Sequence, residues 1–69
     1  MLARYKEGQE VVVNELILRH TKVIKPWETV KIIDVDPTDF DLTYYIRGKQ
    51  GYRYWVSGNC LVNPIGIKI

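Results

Sequence analysis

Aromatic and basic side chains alternate along two apolar runs of this chain of 69 residues, and they are the side chains best suited to binding a partner. In the run YRYWV a β-strand would place Arg53 and Trp55 on one face, and in the run LTYYIR it would do the same for Tyr45 and Arg47. The intervening GKQG predicts a tight hairpin, which would bring the four side chains together. We predict a binding patch that suits an acidic, apolar protein partner and equally suits nucleobase stacking with phosphate contacts. The alternative is a half-buried cluster that stabilises the hairpin, with Trp55 packed under a neighbouring loop.

A second basic group lies in the segment LILRHTKVIKPW, ahead of the second predicted strand. Its members are Arg19, Lys22, Lys25 and the aromatic Trp27. Charged loops are commonly just solvated, which is the simpler interpretation. If the segment folds beside the aromatic patch, the two groups form one basic binding surface.

An acidic group occupies the sequence DVDPTDFD and consists of Asp34, Asp36, Asp39 and Asp41. A calcium-binding EF-hand loop needs glycine at its sixth position and a late glutamate, and here the sixth position is Asp39. We therefore predict no metal site. The group is interpreted as a solvated loop whose charges deter edge pairing, as an acidic docking surface for a basic partner, or as a mimic of a charged backbone.

Enzymatic activity is not expected, because the side chains that would carry it are isolated. The chain has one cysteine, Cys60, and one histidine, His20, and it has no glycine-rich phosphate loop. We predict no catalytic residue, no cofactor and no intramolecular disulfide. A single free thiol fits a reducing compartment, and no apolar run approaches the roughly 20 residues of a membrane span. The prediction is a cytoplasmic protein without membrane contact.

Short strands must position these groups. Val, Ile, Tyr and Trp occur in stretches broken by Gly, Pro, Asp and Asn, which is typical of a small all-β protein. We predict strands at about 9–14, 28–36, 42–47, 52–56 and 60–63, and a further edge strand within 64–69. The segment 15–27 is interpreted as a long hairpin-like loop or a short helix.

Strand periodicity predicts which side chains face the core. In the fourth strand Tyr52, Tyr54 and Val56 point inward; in the third, Leu42, Tyr44 and Ile46 share one face and Thr43, Tyr45 and Arg47 the other. Strands this short cannot fill two separate sheets, whereas a bent sheet that closes on itself removes exposed edges. We therefore predict one domain, 1–69, built as a small barrel of five or six strands.

The order of these elements resembles that of an SH3 domain across residues 9–63. Three stretches carry the resemblance. The stretch KVIKPWETVKI is similar to the family's diverging turn and second strand. The pair YY is similar to the aromatic pair that precedes the family's distal hairpin, and VSGNCLV is similar to the signature that precedes its last strand. The matching residues are Ile24, Glu28, Val30, Ile32, Tyr44, Tyr45 and Asn59. The resemblance implies an SH3-like barrel with a long loop between strands 1 and 2 and a 3₁₀ turn before strand 5.

The residues that build the polyproline groove of peptide-binding SH3 domains are replaced here. Ser57 and Cys60 stand where the signature has proline and tyrosine, and the first strand lacks the family's tyrosines. Bacterial and phage proteins use the same barrel for other partners, including nucleic acids in KOW-like and Tudor-like forms. We expect a non-catalytic protein-interaction module, an accessory or inhibitor protein that docks on a larger partner. The alternative is a nucleic-acid-binding barrel of this kind.

The isoleucines of the tail decide the expected oligomeric state. Ile65, Ile67 and Ile69 would share one face of the edge strand and must be covered. Closure against Leu2 and Tyr5 gives a monomer, which we favour, whereas pairing with a second copy gives a homodimer.

Overall fold

A computed structural model describes residues 4–64, and the predicted all-β class is confirmed there. Its strands are β1 (Glu10–Val13), β2 (Thr29–Val35), β3 (Tyr44–Arg47), β4 (Arg53–Val56) and β5 (Leu61–Val62). Two 3₁₀ helices, η1 (Glu15–Arg19) and η2 (Gly58–Cys60), follow β1 and β4. The strands form one antiparallel sheet in the order β4-β3-β2-β1-β5. The predicted tail strand and Leu2 lie outside the described residues.

The core occupies one face of this sheet, because apolar residues alternate with polar ones along β2 and β3. Ile32 of β2 pairs with Ile46 of β3, and Val56 of β4 pairs with Tyr44. All four are buried. The core is completed by Tyr5, Val11, Val13, Ile17, Ile24, Val30, Cys60 and Leu61. The inward placement of Tyr44, Ile46 and Val56 is thus confirmed.

The third strand begins two residues later than predicted, because Asp39 holds the preceding residues in a turn. Its carboxylate accepts the backbone N–H of Leu42 at 2.8 Å, and its carbonyl accepts the hydroxyl of Thr43. The predicted faces of these two residues are wrong as a result, since Leu42 is 40% exposed and Thr43 only 7%.

The hairpin between β3 and β4 matches its prediction, with one change at its end. Gly48 donates to the carbonyl of Tyr52 at 2.9 Å, and Gly51, at φ +92°, donates back to Gly48 at 3.0 Å. Tyr52 closes the turn and is exposed, so its predicted inward position is wrong. Tyr54 is half-buried and packs against the core.

The segment 15–27 starts as a short helix and continues as a loop. Asn14 caps η1, since its side-chain oxygen accepts the N–H of Leu16 at 2.8 Å. Ile17 and Ile24 anchor the segment in the core. The segment ends where the N–H of Trp27 donates to the carbonyl of Val13 at 2.6 Å.

Glu28 joins the end of this segment to the β3–β4 hairpin. One carboxylate oxygen accepts the N–H of Lys25 at 3.2 Å, and the other accepts the N–H of Lys49 at 2.9 Å. A Cβ at Gly48 would lie 2.8 Å from that second oxygen, so a larger residue there would displace the carboxylate from its present position.

The chain before β1 packs against residues of β3 and β5. Tyr5 meets Tyr44 edge to face, with ring centroids 5.4 Å apart. The Tyr44 hydroxyl accepts the N–H of Arg4 at 2.9 Å, and the Tyr5 hydroxyl donates to the carbonyl of Leu61 at 3.2 Å. These contacts tie the start of the described chain to β3 and β5.

Candidate functional site

A row of charged side chains crosses four strands on the sheet face opposite the core. The pairing register places Glu10 beside Lys31, Lys31 beside Arg47, and Arg47 beside Arg53. All four residues are exposed. Because neighbouring strands lie about 4.8 Å apart, the three cations occupy roughly 10 Å of surface.

The three cations of this row have no carboxylate partner within residues 4–64. Neither Lys31, Arg47 nor Arg53 forms an ion pair or a side-chain hydrogen bond there. Like charges placed directly opposite each other on a sheet are destabilising. The row therefore concentrates positive charge that an anionic partner would neutralise.

A stacked aromatic pair lies next to the cation row on the same face. Tyr45 of β3 and Trp55 of β4 are register partners, with ring centroids 4.9 Å apart and planes 20° from parallel. The indole of Trp55 remains 36% exposed, so mutual stacking covers only part of it. The prediction that these two aromatics share one face with Arg47 and Arg53 is confirmed. We call this face, with Lys31, the basic–aromatic face.

A β-bulge brings an aspartate to the border of this face. The pairing of β2 with β3 shifts between Ile32 and Asp34, so that Asp34 lies opposite Tyr45. Asp34 is exposed and belongs to β2, not to the loop that follows it. Together with Glu10 at the end of the cation row, it gives the positive surface two negative borders.

An open depression of about 320 Å³ adjoins the cation row where β1, β2 and the β3–β4 hairpin meet. It is lined by Glu10, Thr29, Val30, Lys31, Arg47, Gly48 and Lys49. Lys31 was not among the predicted binding residues. The sequence indicates the outward position of Lys31, because Val30 and Ile32 on either side are apolar and side chains alternate between the two faces of a strand.

A second concave region, of about 240 Å³, lies between the segment 15–27, the loop after β2 and η2. We call it the loop cleft. Its lining residues are Leu16, Arg19, His20, Asp41, Leu42, Ser57, Asn59 and Cys60. None of these described residues is Phe, Tyr or Trp, and none belongs to the basic–aromatic face.

The other predicted basic residues belong to the segment between β1 and β2 and not to the strands of that face. Arg19 lines the loop cleft. Lys22 and Lys25 are exposed in the loop between η1 and β2. The pairing of β3 with β4 brings together the predicted residues of the hairpin, and the basic segment takes no part in that pairing.

Trp27 has an unusual backbone conformation for its residue type. Its φ is +69°, and it occupies the third position of the turn 25–28, which closes where Glu28 donates to the Lys25 carbonyl at 3.2 Å. With Pro26 second, this is the pattern of a type II turn, in which glycine is usual at the third position. The side chain is nevertheless 54% exposed, so little burial offsets the backbone strain.

The aspartates after β2 are used as local turn caps. Asp36 accepts the N–H and the hydroxyl of Thr38 at 3.0 and 2.6 Å, and Asp39 accepts the N–H of Asp41 at 2.9 Å. Both hydrogen bonds from Thr38 lower the pKa of the Asp36 carboxyl, and the bond from the hydroxyl has the larger effect. Within residues 4–64 no group of three or more His, Cys, Asp or Glu side chains is placed to hold a metal ion.

Comparison with known proteins adds no relative. No family model matches the chain, and neither a curated protein nor a solved structure matches it. Among the residues that the structure describes, no helix has the length and hydropathy needed to cross a bilayer.

Proposed function

We propose that this protein is a non-catalytic binding module of SH3-like architecture that docks on a larger protein through its basic–aromatic face. The observation that carries the proposal is the stacked Tyr45–Trp55 pair beside three cations that have no carboxylate partner among residues 4–64. Tryptophan, tyrosine and arginine are the residues most enriched at the energetic centres of protein interfaces. Here they meet on one exposed sheet face, which suits a protein surface better than a small molecule.

The sheet order supports the SH3-like barrel. In the proposed barrel β1 pairs with both β2 and β5, and η2 leads directly into β5. Ser57 caps η2 by accepting the N–H of Asn59 at 3.2 Å, and Asn14 donates its side-chain N–H to the Asn59 carbonyl at 2.8 Å. Both contacts use backbone atoms of Asn59, and they support the 3₁₀ turn that the proposed barrel has before β5.

The loop cleft argues against polyproline recognition. Its lining includes Ser57 and Cys60, the positions at which the resemblance implies the groove-building proline and tyrosine. Grooves for polyproline helices are lined by aromatic side chains, and the residues described here supply leucines, Arg19, His20 and polar groups instead.

The only thiol of the chain is in a poor state for nucleophilic chemistry. Cys60 is buried, and burial raises the pKa of its thiol. A reactive cysteine needs a lowered pKa and access to substrate. Its contribution is to the core, which is consistent with a binding role for the protein.

Nucleic-acid binding is the second candidate, because Lys31, Arg47 and Arg53 would also suit phosphates. Two observations weigh against it. The carboxylates of Glu10 and Asp34 border the cations on the same face, and the net charge of the whole chain is only +2. We expect little binding to DNA or RNA near physiological salt, and micromolar binding there would favour this second candidate.

The proposal is tested by capture of partners from a lysate of the source cells, with wild type and Trp55→Ala compared in parallel. We expect Trp55→Ala to keep the fold, checked by circular dichroism, and to lose proteins that the wild type retains. Leu18→Ser is the control, because Leu18 is exposed on η1 and outside the face.

If Trp55→Ala does not fold, Trp55→Leu replaces it, since leucine keeps apolar cover while removing the indole. Equal capture by the wild type and a folded Trp55 variant would refute the proposed face. Loss of the same proteins in Leu18→Ser would show that the capture is not specific to this face.

A further inference from the structure

We infer that the basic–aromatic face recognises an acidic protein segment, one in which several carboxylates flank a large apolar side chain. The inference rests on the proposed function and specifies the chemistry of the partner. It follows from the number and spacing of the cations, from the borders of the positive surface, and from the position of the aromatic pair.

The size of the cation row fits a short segment. Lys31, Arg47 and Arg53 lie on three adjacent strands, so the outer two are about 10 Å apart. In an extended peptide, side chains on one face recur every 6–7 Å or so. Two or three carboxylates of one segment can therefore reach the row together, and two arginines allow bidentate contacts.

The negative borders disfavour a long polyanion. A nucleic-acid backbone repeats its charge along its whole length and binds best along a continuous basic track. Here the row ends at Glu10 on β1, and Asp34 stands opposite Tyr45 in the next row. A protein segment can place neutral or basic residues against these two carboxylates, whereas a phosphate backbone cannot.

The aromatic pair defines what must lie beside the carboxylates. Trp55 follows Arg53 by two residues on β4, and Tyr45 precedes Arg47 by two residues on β3. The stacked rings are thus about 7 Å from the cation row along both strands. An apolar side chain about 7 Å from the acidic residues of the partner would cover the exposed part of Trp55. That burial would also strengthen the neighbouring ion pairs by excluding water.

The test is an NMR titration of the isotope-labelled protein with the capped peptide EDEFEDE. We expect chemical-shift changes at the backbone amides of Lys31, Tyr45, Arg47, Arg53 and Trp55, and weaker binding as salt is raised. The matched control QNQFQNQ has the same length and the same phenylalanine without charge, and we expect at least tenfold weaker binding.

Single substitutions assign the binding to the row. Arg47→Gln and Arg53→Gln should each weaken peptide binding about two- to fivefold, which is the range for an exposed ion pair. Lys6→Gln removes the same charge from an exposed position ahead of β1 and should leave the affinity unchanged. Arg53→Glu reverses the charge and should weaken binding by more than Arg53→Gln.

Several results would overturn the inference. These are equal binding of the charged and uncharged peptides, shift changes confined to the loop cleft, and tighter binding of single-stranded oligo-dT than of the acidic peptide. Self-association in sedimentation that Arg53→Glu abolishes would also overturn it, because a second copy would then occupy the face. If the peptide does not bind but lysate capture still depends on Trp55, the proposed function stands and the acidic segment is wrong.

Discussion

Removing the carboxylate of Glu28 tests most directly how two separate turns are held together in the fold. It accepts one backbone N–H from the turn before β2, at 3.2 Å from Lys25, and one from the β3–β4 hairpin, at 2.9 Å from Lys49. A hydrogen bond in a protein contributes about 1 kcal/mol net, and more when one partner is charged. Both N–H groups are near solvent, which lowers the loss because water can replace the carboxylate.

We therefore expect Glu28→Ala to lower the free energy of unfolding by about 1–2 kcal/mol. For a domain of this size that corresponds to a fall in Tm of roughly 5–15 °C. Glu28→Gln retains one acceptor oxygen without its charge and should lose about half as much. The assay is urea unfolding followed by circular dichroism, in which the midpoint falls and the slope m stays constant.

Glu7→Ala is the matched control, because Glu7 is exposed and should change stability by no more than about 0.5 kcal/mol. Equal stability of Glu28→Ala and Glu7→Ala would show that the Glu28 carboxylate does not stabilise the fold. If Glu28→Gln is no more stable than Glu28→Ala, the bonds to Lys25 and Lys49 are not the source of the effect.

Two further predictions concern Trp27 and Cys60. Trp27→Gly should be more stable than Trp27→Ala by roughly 0.5–1 kcal/mol in thermal unfolding. Both substitutions remove the indole, but only glycine relieves the backbone strain at φ +69°. The opposite order of stability would contradict the turn geometry. Cys60 should react with iodoacetamide at mildly alkaline pH only after denaturation, because it is buried and burial raises the pKa of its thiol; rapid labelling of the native protein would contradict this. Because the pKa of the Cys60 thiol is higher in the folded than in the unfolded protein, the thiol affects the pH dependence of stability. Its stabilising contribution is fully present below the pKa of the unfolded thiol, and it is lost as the pH rises through the pKa of the folded thiol.

The strands and the basic–aromatic face could be predicted because both depend on local alternation. The pattern of Tyr45, Arg47, Arg53 and Trp55 survives in the structure because the two-residue period and the GKQG turn fix it without help from distant residues. The same two-residue period predicts the outward position of Lys31.

Local alternation failed where side chains compete for the backbone. Asp39 binds the N–H of Leu42 and the hydroxyl of Thr43, which delays β3 and exchanges the exposure of the two residues. The bulge that places Asp34 opposite Tyr45 also has no simple sequence signal, since it depends on how β2 meets β3. The contact between Tyr5 and Tyr44 joins residues far apart in the chain, which periodicity does not predict.

The order of strands in the sheet also shapes how the chain reaches its folded state. β2, β3 and β4 are consecutive neighbours, and each pairs with the next across a connection that stays within one part of the sequence. β1 must also pair with β5, and the loop that this pairing closes contains nearly all of the folded chain. Closing it gives up far more chain entropy than forming a hairpin does. We therefore expect the β2–β3–β4 meander to assemble before the seam between β1 and β5, whose distant pairing favours slower folding than local pairing does.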